Sequence, residues 1–166
     1  FALPASCWVG STGRVVAFEP HPDNFSLLKE NISKNDLSQN MTIIQSAIAD
    51  VTKQMHLHLS TFNTGDHQLF HKGTRGTVEV PCITLDEYFD IATKVDVIKM
   101  DVQGAEAAAF IGMNRVLSDN PNVQIIWELS PKQLLDAGSS AKEVFSWLDE
   151  RGFQHTVIDE VSKQIQ

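Results

Sequence analysis

Three acidic side chains stand where short apolar runs of the sequence end, and acids in that position can do chemistry. They are Glu19, Asp101 and Glu128. The carboxyl ends of parallel strands share one edge of an open α/β sheet, and ligands bind along that edge. Each acid alone could instead be a helix N-cap or a solvated turn residue. Three together favour a shared ligand site, because acids seldom end buried strands without partners.

Glu19 allows a more specific interpretation. An acid at the tip of the second strand of a nucleotide-binding half accepts hydrogen bonds from ribose hydroxyls, and a carboxylate can hold two adjacent hydroxyls at once. The alternative is a loop acid held in place by Pro20. An NAD-dependent oxidoreductase would also fit an acid here. No G-x-G-x-x-G motif precedes the Glu19 strand, so we rank that possibility last.

Histidines supply further candidates. His67 lies in a long polar loop, residues 60–76, where it could act as general base for a hydroxyl acceptor or be a surface histidine. His56 and His58 alternate along one strand face, which permits a metal pair. Structural metal sites need four ligands and no third partner is near, so we favour a solvated strand face and expect no metal site.

The elements that must position these residues alternate between strands and helices, which is typical of a mostly parallel sheet covered on both faces. Residues 54–59 and 77–83 alternate polar and apolar side chains, which predicts an antiparallel, hairpin-like insertion within residues 54–83. Thr84 and Glu87 form the pattern of a helix capping box. Strands are predicted at 14–18, 41–45, 97–100, 123–128 and 156–158, and helices at 22–34, 85–91, from 104 to about 117, and 140–151.

Composition narrows the class of protein. The chain has 166 residues, enough for one domain, and a net charge of −8, which disfavours nucleic acid and anionic membranes as partners. Cys7 and Cys82 are too few for a disulfide framework, so a reducing, cytoplasmic setting is expected. We expect a single domain over residues 1–166. The abrupt start inside what reads as an apolar helix suggests that both ends are cut from a longer protein.

Three motifs give the chain a resemblance to a known family. AFEPHPDNFSLLKENISKN, VPCITLDEYF and DVIKMDVQGAE occur in the order expected for FkbM-type methyltransferases. The similarity covers nearly the whole chain, about residues 9–158. It implies a Rossmann-like class I methyltransferase sheet, S-adenosylmethionine as cofactor, and O-methylation of a small-molecule or sugar-like acceptor.

The same resemblance implies roles for particular residues. Glu19, with Pro20, would bind the ribose of the cofactor. Ser46 and Ala47 would lie near the adenine. Asp101 would face the methyl-transfer centre and contact both cofactor and acceptor. His67 remains the candidate base from the polar loop.

The chain departs from the family pattern in two ways. Gln103 stands where relatives usually have Glu, and an amide can be neither a base nor a charge. The first strand and the glycine-rich loop that cradles the cofactor are not recognisable, since residues 10–13 read as a turn. We therefore expect the strands that end at Glu19 and Asp101 to have unpaired inner edges. An open edge invites association, so the alternative function is a non-catalytic remnant that forms a homo-oligomer through its sheet edge.

Overall fold

The computed structural model describes residues 1–159 and 164–165 and has a mixed α/β architecture. In chain order its elements are α1 (Ala2–Trp8), β1 (Val15–Phe18), α2 (Pro22–Lys34), β2 (Met41–Ile44), β3 (Ala47–Ile48), β4 (Lys53–His58), β5 (Thr77–Ile83), α3 (Leu85–Tyr88), β6 (Val97–Met100), α4 (Glu106–Ile111), α5 (Asn114–Asp119), β7 (Gln124–Trp127), α6 (Pro131–Asp136), α7 (Ala141–Asp149), β8 (Ile158–Asp159) and β9 (Gln164–Ile165). The strand predicted at residues 156–158 thus begins at Ile158. None of the helices described is long and apolar enough to cross a membrane.

The parallel strands form small separate sheets. β1 pairs with β2, placing Val15 opposite Met41, and β6 pairs with β7, placing Val97 opposite Gln124. Within the described residues neither β1 nor β6 has a strand on its other edge, as the sequence led us to expect. The sequence predicted one mostly parallel sheet without its first strand. Among the described residues the parallel strands instead lie in separate small sheets, and none of these strands hydrogen-bonds to both the β1–β2 pair and the β6–β7 pair.

The predicted insertion is confirmed as an antiparallel pair. β4 and β5 align with Met55 opposite Val80 and Leu57 opposite Val78. Val80 and Leu57 are buried, as one face of an alternating strand should be. The short strand β3, which the sequence did not predict, adds to β5 in parallel. Two residues are too few to carry a periodic signal.

The main apolar core lies between β6, β7 and the helices α4, α5 and α7. Phe110 of α4 is 1% exposed and meets Trp127 edge-on, with ring centroids 5.6 Å apart. The Trp147 ring also packs on Phe110, with ring centroids 5.8 Å apart. Both tryptophans therefore contact the core. The aromatic cluster fixes β7 and α7 against α4.

The helix predicted from residue 104 to about Leu117 is instead two helices, α4 and α5. Gly112 separates them, and a Cβ at this position would overlap the Ala49 carbonyl, so the chain passes too close for any other residue. The start of α5 is capped from outside by Asp86, whose carboxylate accepts from the backbone N–H groups of Arg115 and Val116 at 2.9 Å each. Both causes are tertiary contacts, which the local sequence pattern does not contain.

Two helices begin with a side-chain cap, and the one at Thr84 was predicted from the sequence. The Thr84 hydroxyl accepts from the Glu87 N–H at 3.0 Å, and the Ser140 hydroxyl accepts from the Glu143 N–H at 3.2 Å. Caps of this kind stabilise a protein by about 1 kcal/mol each. Here they fix the first turns of α3 and α7.

Candidate functional site

A cavity of about 140 Å³ lies at the carboxyl ends of β1 and β6. Its wall combines residues from six separate parts of the chain: the end of β1, α2, residues 46–48, β4, loop 60–76, and the segment that follows β6. The six residues to which the sequence assigned a catalytic or cofactor-binding role all line it, namely Glu19, Pro20, Ser46, Ala47, His67 and Asp101. The structure brings these residues together, and their individual roles remain predictions.

Glu19 follows β1 directly and is fixed by the start of α2. Its Oε1 accepts a hydrogen bond from the backbone N–H of His21 at 2.9 Å. Burial raises the pKa of Glu19, while the hydrogen bonds from His21 and the Asn24 side chain act in the opposite direction. The carboxyl group is thus held at the cavity wall with one oxygen engaged by the backbone.

Ser46 and Ala47 form the part of the wall between β2 and β3. Ser46 is 2% exposed, and its hydroxyl is within donating distance of the carbonyls of Ala47, at 3.0 Å, and Pro81, at 2.9 Å. One hydroxyl hydrogen serves both carbonyls, so Ser46 braces β3 against β5. Its contribution to the site is to set the position of this wall.

Asp101 follows β6 and is the most heavily hydrogen-bonded acid of the site. Its Oδ1 accepts from Gln103 Nε2 at 2.6 Å, and its Oδ2 accepts from Lys99 Nζ at 3.0 Å. Burial acts to raise the pKa of Asp101, but hydrogen bonds from Gln103 and Lys99 outweigh it and hold the pKa below its usual value. Asp101 is therefore an ionised carboxylate at neutral pH. Lys99 and Asp101 thus form an ion pair.

Glu128, the third strand-end acid, interacts with Asp101 without lining the cavity. Its backbone N–H donates to the Met100 carbonyl at 3.2 Å, which continues the pairing of β7 with β6. Two of the three strand-end acids, Glu19 and Asp101, therefore line the same cavity, and a ligand site shared by all three remains a prediction.

The loop after Asp101 makes a tight bend against α6. Gln103 and Gly104 both have positive φ angles, +49° and +98°. A Cβ on Gly104 would lie 2.9 Å from both the Cβ and the carbonyl oxygen of Gln133. Glycine is therefore needed for the conformation and for the close approach. Gln133, which no sequence motif marked, donates from Nε2 to Gln103 Oε1 at 2.7 Å.

His67 enters the cavity wall from loop 60–76. Its Nδ1 accepts from the backbone N–H of Ser60 at 3.1 Å, and its ring lies 4.6 Å from the His21 ring. Burial lowers the pKa of His67, and the charge of His21 lowers it further. The neutral ring must carry its proton on Nε2, because Nδ1 is already an acceptor. In this state Nε2 can donate a hydrogen bond to a bound molecule but cannot take a proton from it.

His56, His58 and His71 do not line this cavity. His56 is exposed on β4, and the His58 ring lies 5.8 Å from the His71 ring. Among residues 1–158, no group of three or more His, Cys, Asp or Glu side chains is arranged to hold a metal ion.

Comparison with known proteins fits this geometry. A family model described as the methyltransferase FkbM domain matches residues 3–155. The chain belongs to the FkbM methyltransferase domain family. The resemblance drawn from the three sequence motifs is thus confirmed, and the chain is a member of a methyltransferase family whose proteins generally depend on S-adenosylmethionine. Neither the curated proteins nor the solved structures give a significant match.

Proposed function

We propose that this FkbM domain is an S-adenosylmethionine-dependent O-methyltransferase with a Rossmann-like sheet, acting on a small-molecule or sugar-like acceptor. One observation carries the proposal. Residues that the family motifs assign to cofactor and acceptor come from separate segments and line one cavity at the ends of two parallel strands. In α/β proteins that is the usual place for a ligand.

The residues present fit the nucleoside half of the cofactor. The Glu19 carboxyl suits two ribose hydroxyls, and the buried residues Ser46 and Ala47 line a wall against which a base could lie. The described residues show no glycine-rich loop between a parallel strand and a helix for the methionine half. A cavity of about 140 Å³ is also smaller than the ~300–1,000 Å³ typical of larger ligands. The residues that line the cavity therefore fit the nucleoside half of S-adenosylmethionine.

The bound cofactor would supply a methyl group on a sulfonium centre. Transfer of that group needs the acceptor oxygen held in line with it, so positioning is the main task of the protein. Asp101, ionised and fixed from two sides, would accept a hydrogen bond from the acceptor hydroxyl, orient its oxygen, and take the proton that the hydroxyl loses when it is methylated. His67 donates from Nε2 to a second polar group of the acceptor. Thr64 and Gly65 of the same loop border the cavity and shape the acceptor pocket.

Calorimetric titration with S-adenosylhomocysteine tests the cofactor assignment. We expect the chain to bind this product, and Glu19→Gln to weaken binding about tenfold or more, because hydrogen bonds to a charged group contribute about 1.5–3 kcal/mol. Glu79→Gln, an acid-to-amide change on the exposed face of β5, is the matched control and should leave the affinity unchanged. Absent binding by the wild-type chain, or equal affinity for Glu19→Gln and wild type, would overturn the assignment.

The unpaired edges of β1 and β6 support a second candidate, a non-catalytic remnant that associates with copies of itself through its sheet edge. Sedimentation velocity over a hundredfold range of concentration tests it. A mass that rises with concentration, together with no binding of S-adenosylhomocysteine, is expected for the remnant. A monomer that binds the product contradicts it.

We propose a cytoplasmic location and no nucleic-acid or membrane partner. The exposed, free Cys7 supports the first. The net charge of −8 supports the second, since it opposes binding to phosphates and anionic lipids.

A further inference from the structure

Two glutamine side chains join loop 60–76 to the acid at the centre of the site. Gln133 Nε2 donates to Asp66 Oδ1 at 3.1 Å and to Gln103 Oε1 at 2.7 Å. Gln103 Nε2 in turn donates to Asp101 Oδ1 at 2.6 Å. These four residues, Asp66, Gln133, Gln103 and Asp101, form a continuous chain that we term the amide relay. It spans three segments that are distant in sequence.

The hydrogen-bond directions in the amide relay require amides at both central positions. An amide nitrogen carries two N–H groups, and Gln133 uses them on two different acceptors. Gln103 accepts through its oxygen and donates through its nitrogen. A carboxylate at either position would place one acceptor against another. The shape of the side chain alone would therefore not preserve the relay.

Both ends of the amide relay are carboxylates held by cations. Arg75 binds Asp66 through Nη2 to Oδ2 at 3.0 Å and through Nη1 to the Asp66 carbonyl at 2.8 Å. Lys99 pairs with Asp101 at the other end. Gln68 Nε2 adds a second donor to Asp66 Oδ1, at 2.7 Å. Each terminal carboxylate is thus held in place by groups other than Gln103 and Gln133.

The backbone also brings the central pair together. The absence of a side chain on Gly104 lets the loop after β6 touch Gln133 of α6. Gln133 is consequently anchored on one side by backbone packing and reaches loop 60–76 with its side chain. That loop contributes Thr64, Gly65 and His67 to the cavity wall.

We propose that Gln103 and Gln133 are positioning residues that hold loop 60–76 against the cavity by linking Asp66 to Asp101. The link itself rests on contacts within the chain. Its consequence for methyl transfer rests on the proposed function: the loop that borders the acceptor pocket and the acid that orients the acceptor are fixed relative to each other.

Hydrogen exchange of the backbone amides of residues 60–76 tests the link without any ligand. Gln133→Glu keeps the shape of the side chain and removes both N–H donors, and Gln133→Ala removes the side chain. At pH 7.5 we expect both variants to exchange about tenfold or more faster than wild type in this loop, the effect of losing a hydrogen bond to a charged acceptor. Lys132→Ala, at the exposed preceding position of α6, is the control and should match wild type.

A second pH separates hydrogen bonding from packing. The carboxyl group introduced by Gln133→Glu would face Asp66 and the Gln103 oxygen. The other charged or titrating groups around it are Asp101, with Arg75 and Lys99 paired to the two ends of the relay, Glu106 on the Gly104 N–H, Lys72 on the Leu135 carbonyl, and His71 on Gln68. Two neighbouring acceptors favour its protonation, and a protonated carboxyl regains one donor. At pH 5, compared with wild type at the same pH, Gln133→Glu should recover much of its protection and Gln133→Ala should not. Equal loss in both variants at both pH values, or no loss in either, overturns the relay.

The two proposals fail separately. Loss of loop protection in a chain that does not bind S-adenosylhomocysteine leaves the relay standing and removes its link to methyl transfer. Binding of S-adenosylhomocysteine with unchanged loop protection in Gln133→Glu removes the relay and leaves the cofactor assignment standing.

Discussion

Changing Gln103 to Glu replaces one hydrogen bond of the site with a repulsion between two carboxylates. The amide nitrogen that now donates to Asp101 Oδ1 at 2.6 Å would become a carboxylate oxygen. Two unit charges about 4 Å apart interact by ~4 kcal/mol at an effective dielectric constant near 20. The Asp101 side chain is 35% exposed, so solvent screening reduces this to about 1 kcal/mol. The lost hydrogen bond adds about 1.5 kcal/mol. We expect Gln103→Glu to lower the free energy of unfolding by about 2–3 kcal/mol at pH 7.5.

The loss in free energy of unfolding caused by Gln103→Glu should grow as pH rises. Two adjacent carboxyl groups share one site, so one of them has a raised pKa in the folded variant. The folded state then binds a proton more tightly than the unfolded state, and stability falls as pH rises through the raised value. Below the ordinary carboxyl pKa of about 4 both states are protonated, and the repulsion disappears. The difference between variant and wild type should therefore be small near pH 4 and fully present at pH 7.5.

Urea denaturation at pH 4.5 and 7.5, followed by tryptophan fluorescence, measures this difference. Gln39→Glu adds the same charge at an exposed position between α2 and β2 and should cost little at either pH. A deficit in Gln103→Glu of equal size at both pH values would refute the electrostatic argument. No deficit at either would refute the hydrogen bond itself.

Three further variants have expected outcomes. Gly104→Ala should lower the free energy of unfolding by about 2–4 kcal/mol, because φ is +98° and the new Cβ would meet Gln133. Gly138 has a similar φ of +85° but open space around it, so Gly138→Ala should cost only about 1 kcal/mol. Thermal unfolding compares the two variants. Phe110→Ala, 1% exposed in the wild type, should cost about 3–5 kcal/mol in urea denaturation. Burial raises the pKa of Glu106 in the folded state. The contribution of Glu106 to wild-type stability should therefore fall as pH rises from about 4.3 through that raised pKa. Glu106→Gln should remove this contribution, which denaturation curves from pH 4 to 8 measure.

The parts of the site that sequence could predict are those that local rules determine. An acid placed after an apolar run reaches the carboxyl edge of a strand wherever the strand packs, so Glu19 and Asp101 could be expected to converge. The hairpin-like pair β4 and β5 followed from alternation, and the cap at Thr84 followed from its spacing to Glu87. Each of these rules needs only a short stretch of neighbouring residues.

The parts that sequence could not predict depend on contacts between distant segments. Gln133 and Asp66 are 67 positions apart and are joined by one side-chain hydrogen bond. The break between α4 and α5 depends on Gly112 passing the Ala49 carbonyl. Gln103 seemed a simple loss of charge in the motif. The structure shows that its amide is engaged at both ends, which gives the substitution a physical role.

Loop 60–76 has a structural task as well as a proposed functional one. β1 and β6 end at the same cavity, although no strand within the described residues pairs with both. The loop is tied to the β1 side because Asn24 of α2 donates to the Thr64 carbonyl at 3.0 Å, and to the β6 side because Gln133 of α6 donates to Asp66. The loop therefore bridges the two parallel pairs across the cavity. Cutting one tie should loosen the wall on that side first, since the other tie is anchored on a different helix.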